Sequence, residues 1–180
     1  MGLPGNQRSV QQLVDAFYLN LYRYAYRLTG SAADAEDLTQ ETFCKAQAQL
    51  GTLREAGRAK AWLFSILRNA YLHRARLQKQ HREVSFDQLA DVAEPLPDPL
   101  PEVEPERLQQ ALDELPEAFR TPVILYYFDE FSYRDIAEQM DLPIGTVMSR
   151  LARAKAHLRA RLLPPPEVLA NGRRRATDGL

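Results

Sequence analysis

At 180 residues, 45% apolar and 26% charged, the chain has the composition of a globular protein of one domain or two small ones. A formal net charge of −1 gives no global bias toward nucleic acid or membrane. The single cysteine, Cys44, excludes an intramolecular disulfide and a Cys-rich metal site and fits a reducing compartment.

No apolar run approaches the ~20 residues of a membrane span. The N-terminus lacks the basic-then-apolar signal pattern, so a cytoplasmic protein is expected. From about Gln7 to Leu28, Leu13, Phe17, Leu21, Tyr24 and Leu28 keep helical spacing. Gly30 ends that helix, and Ser31 with Asp34 opens the next. The second helix, to about Leu50, turns Ala35, Leu38, Thr42, Phe43, Ala46 and Leu50 one way. Asp37, Gln40, Glu41 and Cys44 face the other. On pattern alone that acidic face is either a solvated surface or a docking surface.

A loop from Gly51 to about Ala59 carries Arg54 and Arg58. A third helix from about Lys60 to Arg82 places Trp62, Leu63, Ile66, Leu67, Ala70 and Leu77 on a core face. Phe64, Arg68, Tyr71, Ala75 and Lys79 fall on the far side. Rings alternating with cations suit unpaired bases and their backbone; the alternative is that Phe64 and Tyr71 pack on a neighbouring helix. From Arg68 to Arg82 there are five Lys/Arg and no acid, which favours nucleic acid at the helix end. Glu83 to Glu106 holds eight acids, no Lys or Arg, and five prolines, and reads as a flexible linker.

Beyond it, a short helix spans Glu106 to Glu114, with Leu108 and Leu112 inward. Pro116 begins another helix carrying Phe119, Val123, Ile124, Tyr127 and Phe128. Pro122 is expected to kink or split it. Ser132 and Asp135 then cap a short helix with Ile136, Ala137 and Met140 inward. After Asp141-Leu142-Pro143, a long basic helix runs to Leu163, with Val147, Leu151, Ala154, Leu158 and Leu162 on one face. The other side presents Thr146, Ser149, Ala152 and Arg153, with Arg150 and His157 on a flank. Small residues permit close approach, and arginines suit phosphates or guanine edges. Two helices with this turn predict a helix-turn-helix; the plain alternative is a solvated basic face. Pro164-Pro165-Pro166 ends the helix, and residues 164–180 read as a disordered tail. No metal-spaced His/Cys set, nucleophile constellation or glycine-rich phosphate loop suggests an enzyme or a cofactor.

Four stretches carry a family resemblance. They are Asp34-Ala35-Glu36-Asp37-Leu38-Thr39-Gln40-Glu41-Thr42-Phe43 and Ala61-Trp62-Leu63-Phe64-Ser65-Ile66-Leu67-Arg68-Asn69, then Phe131-Ser132-Tyr133-Arg134-Asp135-Ile136-Ala137-Glu138 and Pro143-Ile144-Gly145-Thr146-Val147-Met148-Ser149-Arg150-Leu151-Ala152-Arg153-Ala154. In this order, with Leu115-Pro116 between, the chain resembles a bacterial sigma factor of the extracytoplasmic function (ECF) group, in the sigma-70 family. The resemblance implies an all-α fold of two small domains. A sigma-2-like domain would span 7–82, an acidic linker 83–104, and a sigma-4-like helix-turn-helix domain 105–163.

It further implies core RNA polymerase, promoter DNA and an anti-sigma factor as partners, with no membrane contact and no stable homo-oligomer. Asp37, Gln40, Glu41 and Cys44 would meet the β′ clamp, and the second domain the β flap. Arg54, Arg58, Arg68, Asn69, Arg74, Arg76 and Lys79 would meet the −10 element, with the loop Thr52 to Ala59 receiving a flipped base. Thr146, Ser149, Arg150, Ala152, Arg153 and His157 would meet the −35 element. Met148, Ala152 and Asp141 depart from the usual pattern, Asp141 standing where a turn glycine is common.

Overall fold

A computed structural model of the chain describes residues 10–78 and 103–162. Among these residues it contains seven α-helices, two 3-10 turns and no strand. The first module comprises α1 (Val10–Thr29), α2 (Ala32–Ala48), the 3-10 turns Leu50–Thr52 and Ala56–Arg58, and α3 (Ala59–Gln78). The second comprises α4 (Pro105–Asp113), α5 (Glu117–Tyr127), α6 (Tyr133–Met140) and α7 (Ile144–Leu162). The linker and tail readings, and Lys79, lie outside the described residues.

Local chemistry sets the helix ends. Gly30 adopts φ 69° and its N–H donates to Tyr26 O at 2.7 Å, closing α1. A side chain there would stand 3.0 Å from an Asp113 carboxylate oxygen, so glycine also admits the second module. The Ser31 hydroxyl accepts from Asp34 N at the start of α2. Ser132 and Asp135 form the full reciprocal capping box of α6. The helix-turn-helix corner is Asp141, with φ 53°. An aspartate tolerates this left-handed conformation, whereas a β-branched residue is strained in it. Asp141→Val is therefore expected to cost the second module ~1–2 kcal/mol, with Asp141→Gly well tolerated. Thermal melts of the two variants check this; equal melting temperatures would refute it.

The α7 core face is as the spacing predicts: Val147, Leu151, Ala154, Leu158 and Leu162 are all buried. In α2, Ala35, Leu38, Thr42, Phe43 and Ala46 are buried, and Thr39 joins them. Buried Thr39 and Thr42 satisfy their hydroxyls by donating to Ala35 O and Leu38 O at 2.7 Å.

On α3 the packing alternative holds for Phe64 and Tyr71, and the core assignment of Leu77 needs correction. Phe64 does not lie on an outer face: it is fully buried, its ring 4.9 Å from Tyr24 and 5.1 Å from Phe131. Tyr71 is half-buried against the same core. Leu77, expected inside, is 69% exposed near the described end of α3. Tyr127 and Phe128, at the end of α5, are exposed, and Phe128 carries the Arg27 guanidinium 3.9 Å above its ring.

Pro122 does not split α5, which runs unbroken from Glu117 to Tyr127. Proline removes the N–H that would reach the carbonyl of Ala118. That carbonyl accepts instead from Arg150 Nη1, at 3.4 Å.

The two modules share one continuous core. Phe64 of α3 meets Phe131, at the entry to α6, across the seam. Arg120 donates to Leu28 O at 2.8 Å, Gln109 to Arg27 O at 3.2 Å, and Lys60 to Asp129 O.

Candidate polymerase and nucleic-acid interface

Three surfaces bear on function. The first is the outer face of α2, where Asp37, Gln40 and Cys44 are exposed. Glu41 lies at its edge, half-buried and bonded to both Lys45 (2.7 Å) and Arg74. The Lys45 hydrogen bond, with help from Arg74 and against the effect of burial, holds the Glu41 carboxyl below its usual range. Glu41 and Arg74 were expected in separate interfaces; the structure brings them together as a pair.

The second surface surrounds the loop before α3. Arg54 and Arg58 are exposed there, and Trp62 and Ser65 follow on the first turns of the helix. Together with Thr52 and Leu53 they line a cleft of about 480 Å³. Its opposite wall is Asp135, Glu138 and Gln139 of α6. Arg58 Nη2 stands 2.6 Å from Glu138 Oε2, and that hydrogen bond keeps the guanidinium firmly protonated. Arg68 is drawn inward, 3.1 Å from Glu117 Oε1. Further along α3, Asn69 and Arg76 are exposed, with His73 between them.

Trp62, Ser65, Asn69, His73 and Arg76 recur at three- and four-residue spacing and so form one stripe. Trp62 packs partly against the core, as its apolarity placed it, and its remaining surface shares this stripe. Polar Ser65 and Asn69, three and seven residues on, are the signal that would have found it. The stripe offers one large ring, an amide and a cation in line with Arg58. Such a combination suits an unpaired strand, with stacking for a base and charge for its backbone.

The third surface is α7. Ser149 and Ala152 are exposed, and Thr146 and Arg153 are half-exposed beside them. The other two expected contacts are turned inward. Arg150 donates to Ala118 O, and His157 Nε2 lies 3.2 Å from Glu114 Oε2. Arg161 shares that carboxylate at 2.7 Å. Ile144 and Met148 are exposed near the helix start and add apolar area beside the small residues. Among the described residues no His, Cys, Asp and Glu group could hold a metal, and no helix is long and apolar enough to cross a membrane.

A helix-turn-helix with small and basic residues outward, joined to a helical module with an acidic face and a cation-lined cleft, defines a DNA-reading protein that also docks on another protein. Comparison with known proteins makes this specific. Residues 13–81 match the family model Sigma-70 region 2, and residues 106–158 match Sigma-70, region 4. The ECF RNA polymerase sigma factor EcfG of Rhodopseudomonas palustris is 37% identical over 145 residues, covering 79% of each chain. SigW of Bacillus subtilis, also an ECF RNA polymerase sigma factor, is 30% identical over 171 residues, covering 88% of this chain and 91% of SigW. SigE of Mycolicibacterium smegmatis is 35% identical, and there the chain spans 61% of the relative's length.

Among solved structures, the sigma factor RpoE bound to the anti-sigma factor NepR, from Bartonella quintana, superposes with a TM-score of 0.68 at 27% identity. That match covers 84% of this chain and 94% of RpoE. The chain belongs to the ECF group of RNA polymerase sigma factors. Its relatives are transcription initiation factors rather than enzymes.

Proposed function

We propose that the chain, as a promoter-specificity subunit in the cytoplasm, docks on core RNA polymerase through the exposed face of α2. Asp37 and Gln40 supply the polar contacts, and Cys44 a small apolar one. Glu41 acts from the edge of that face, with its charge shared between Lys45 and Arg74. The observation that supports this reading is the exposure of Asp37, Gln40 and Cys44 together on one face of α2, opposite the buried face that packs into the core.

The −10 strand is assigned to the cleft and stripe formed by Arg54, Arg58, Trp62, Asn69 and Arg76. Unstacking a base costs a few kcal/mol, which stacking on Trp62 and phosphate contacts would offset. Ser149, Ala152 and Arg153 of α7, with Thr146 at its start, are assigned to the −35 element. Arg150 and His157 hold α7 on α5 and α4 and so position that face. The domain limits proposed are 7–82, 83–104 and 105–163. The chain performs no chemistry itself. Its structural neighbour RpoE is bound to an anti-sigma factor, which supports a protein antagonist as the natural control of this chain too.

Asp37→Arg tests the docking face. The variant is expected to fold normally and to lose co-elution with core polymerase by tenfold or more, since a charge reversal replaces an attraction with a repulsion. Undiminished co-elution would remove Asp37 from the interface.

A further inference from the structure

The start of α7 exposes apolar side chains that neither the core nor the polar contacts assigned to the −35 element use. Ile144 is 46% and Met148 52% exposed, and Ala152 is exposed beyond them. Spaced by four residues, the three lie in one line along the helix, about 12 Å long at 1.5 Å per residue. That length spans roughly three to four base pairs of duplex at 3.4 Å each. The inward face of the same helix is already filled by Val147, Leu151 and Leu158, so this line is no extension of the core.

The groups beside the line narrow what it can meet. From Met148 to Arg161 there are five Lys/Arg and no acid, which favours a polyanionic partner. The Ser149 hydroxyl, next to Met148, donates to Thr146 O at 3.0 Å, so its proton is spent within the helix and only its lone pairs remain to meet a base. A side chain at Gly145 would meet nothing within 4 Å, so the surface before Met148 is open. A polyanion that also presents apolar groups is duplex DNA read in its major groove, where the apolar substituent is the 5-methyl group of thymine. Methionine is unbranched and polarisable, and adapts its thioether to such a contact.

Resting on the assignment of α7 to the −35 element, we propose that Met148, in line with Ile144 and Ala152, reads thymine 5-methyl groups there. Met148 is then a specificity-determining residue outside the polar set of Thr146, Ser149 and Arg153. It selects A·T pairs by apolar contact, and the polar set adds hydrogen bonds beside it.

The test uses the full chain assembled with core polymerase, and a promoter duplex selected with that holoenzyme. Thymines of the −35 element are replaced one at a time by deoxyuridine, which removes the 5-methyl and leaves every hydrogen-bonding group in place. For the parent, at least one replacement is expected to weaken binding about fourfold, the contribution of one buried carbon. Met148→Ala changes an exposed site and should fold as the parent does. It is expected to bind the thymine duplex as weakly as the parent binds the deoxyuridine one, with no further loss on deoxyuridine replacement. Met148→Leu keeps an apolar side chain of similar volume and should keep the discrimination. Parental affinity for every deoxyuridine duplex, with normal run-off, would overturn methyl reading and leave the sigma-factor reading intact. A selected −35 element without an A·T pair would overturn it too, as would an equal deoxyuridine penalty in Met148→Ala. If Met148→Ala weakens assembly with core polymerase in the absence of DNA, the patch is a protein contact and the proposal fails. Parental affinity for all duplexes in both Met148→Ala and Arg153→Ala would remove α7 from the −35 element, and methyl reading with it. Failure of the parent to support run-off from any promoter would remove the sigma-factor reading itself.

Discussion

Phe64→Ala is expected to destabilise the protein by ~3–5 kcal/mol, the cost of removing a fully buried ring and leaving a cavity. The position is unusual because its ring is shared. Tyr24 stacks on it from α1 at 4.9 Å, and Phe131 tilts against it from the second module at 5.1 Å. The loss should therefore reach both modules rather than α3 alone. Denaturant unfolding followed by circular dichroism would report a much lower midpoint. Proteolysis under native conditions would report early cleavage in both modules. Phe64→Leu keeps most of the volume and should recover much of the stability. A midpoint unchanged in Phe64→Ala would mean that the ring lies at the surface, as its place in the sequence first suggests.

The second large effect concerns Asp129. This residue is only 5% exposed, and among the described residues its Oδ2 has no hydrogen-bond partner. Lys60 bonds its main-chain carbonyl rather than its carboxylate. Burial pushes the carboxyl up from 3.8 to about 7, with the charges of Lys60 on α3 and Arg27 on α1 opposing the rise only in part. A folded-state value above the unfolded one means that the folded chain holds the proton more tightly. Asp129 thus leaves stability intact below about pH 4, erodes it between pH 4 and 7, and adds no further loss above 7. The full penalty is up to about 4 kcal/mol at 1.36 kcal/mol per pKa unit. Asp129→Asn should lift that penalty. The variant is expected to be more stable than the parent at pH 8, with the advantage largely gone at pH 4. Paired denaturant curves at the two pH values check it, and parallel pH profiles for parent and variant would refute it.

The local features of the fold were legible in the sequence. The α7 stripe is legible because a long helix packed along one side repeats its apolar pattern through five turns. The Ser132–Asp135 box is legible because capping is an interaction over three residues. What escaped was set by contacts between distant segments. Phe64 is apolar on the far side of α3; it is buried because Tyr24 of α1 stacks on it and Phe131 of the second module tilts against it. Pro122 reads as a helix breaker until Arg150, 28 residues on, supplies a donor for the freed carbonyl. The basic residues show the same division. Their clustering predicted a nucleic-acid surface, but nothing local reveals that Arg58 pairs with a glutamate 80 residues away or Arg74 with one 33 residues back.

Cys44 and Asp37 are positioned as the amphipathic pattern of α2 requires, on the exposed side. Arg150 and His157 lie on the right helix but are turned inward, because a flank position is divided between solvent and the neighbouring helix. Their removal is accordingly a matter of how α7 is held.

The most direct measurement is transcription by purified core RNA polymerase on a pool of random-sequence duplex templates, with and without this chain, followed by sequencing of the transcripts. With the chain present, transcripts should start a fixed distance downstream of two shared motifs at constant spacing, and single-base changes in either motif should abolish them. Core polymerase alone should yield no such pair. Transcripts with no shared motifs in the presence of the chain, or tight motif-specific duplex binding by the chain without polymerase and no initiation with it, would contradict a promoter-specificity subunit.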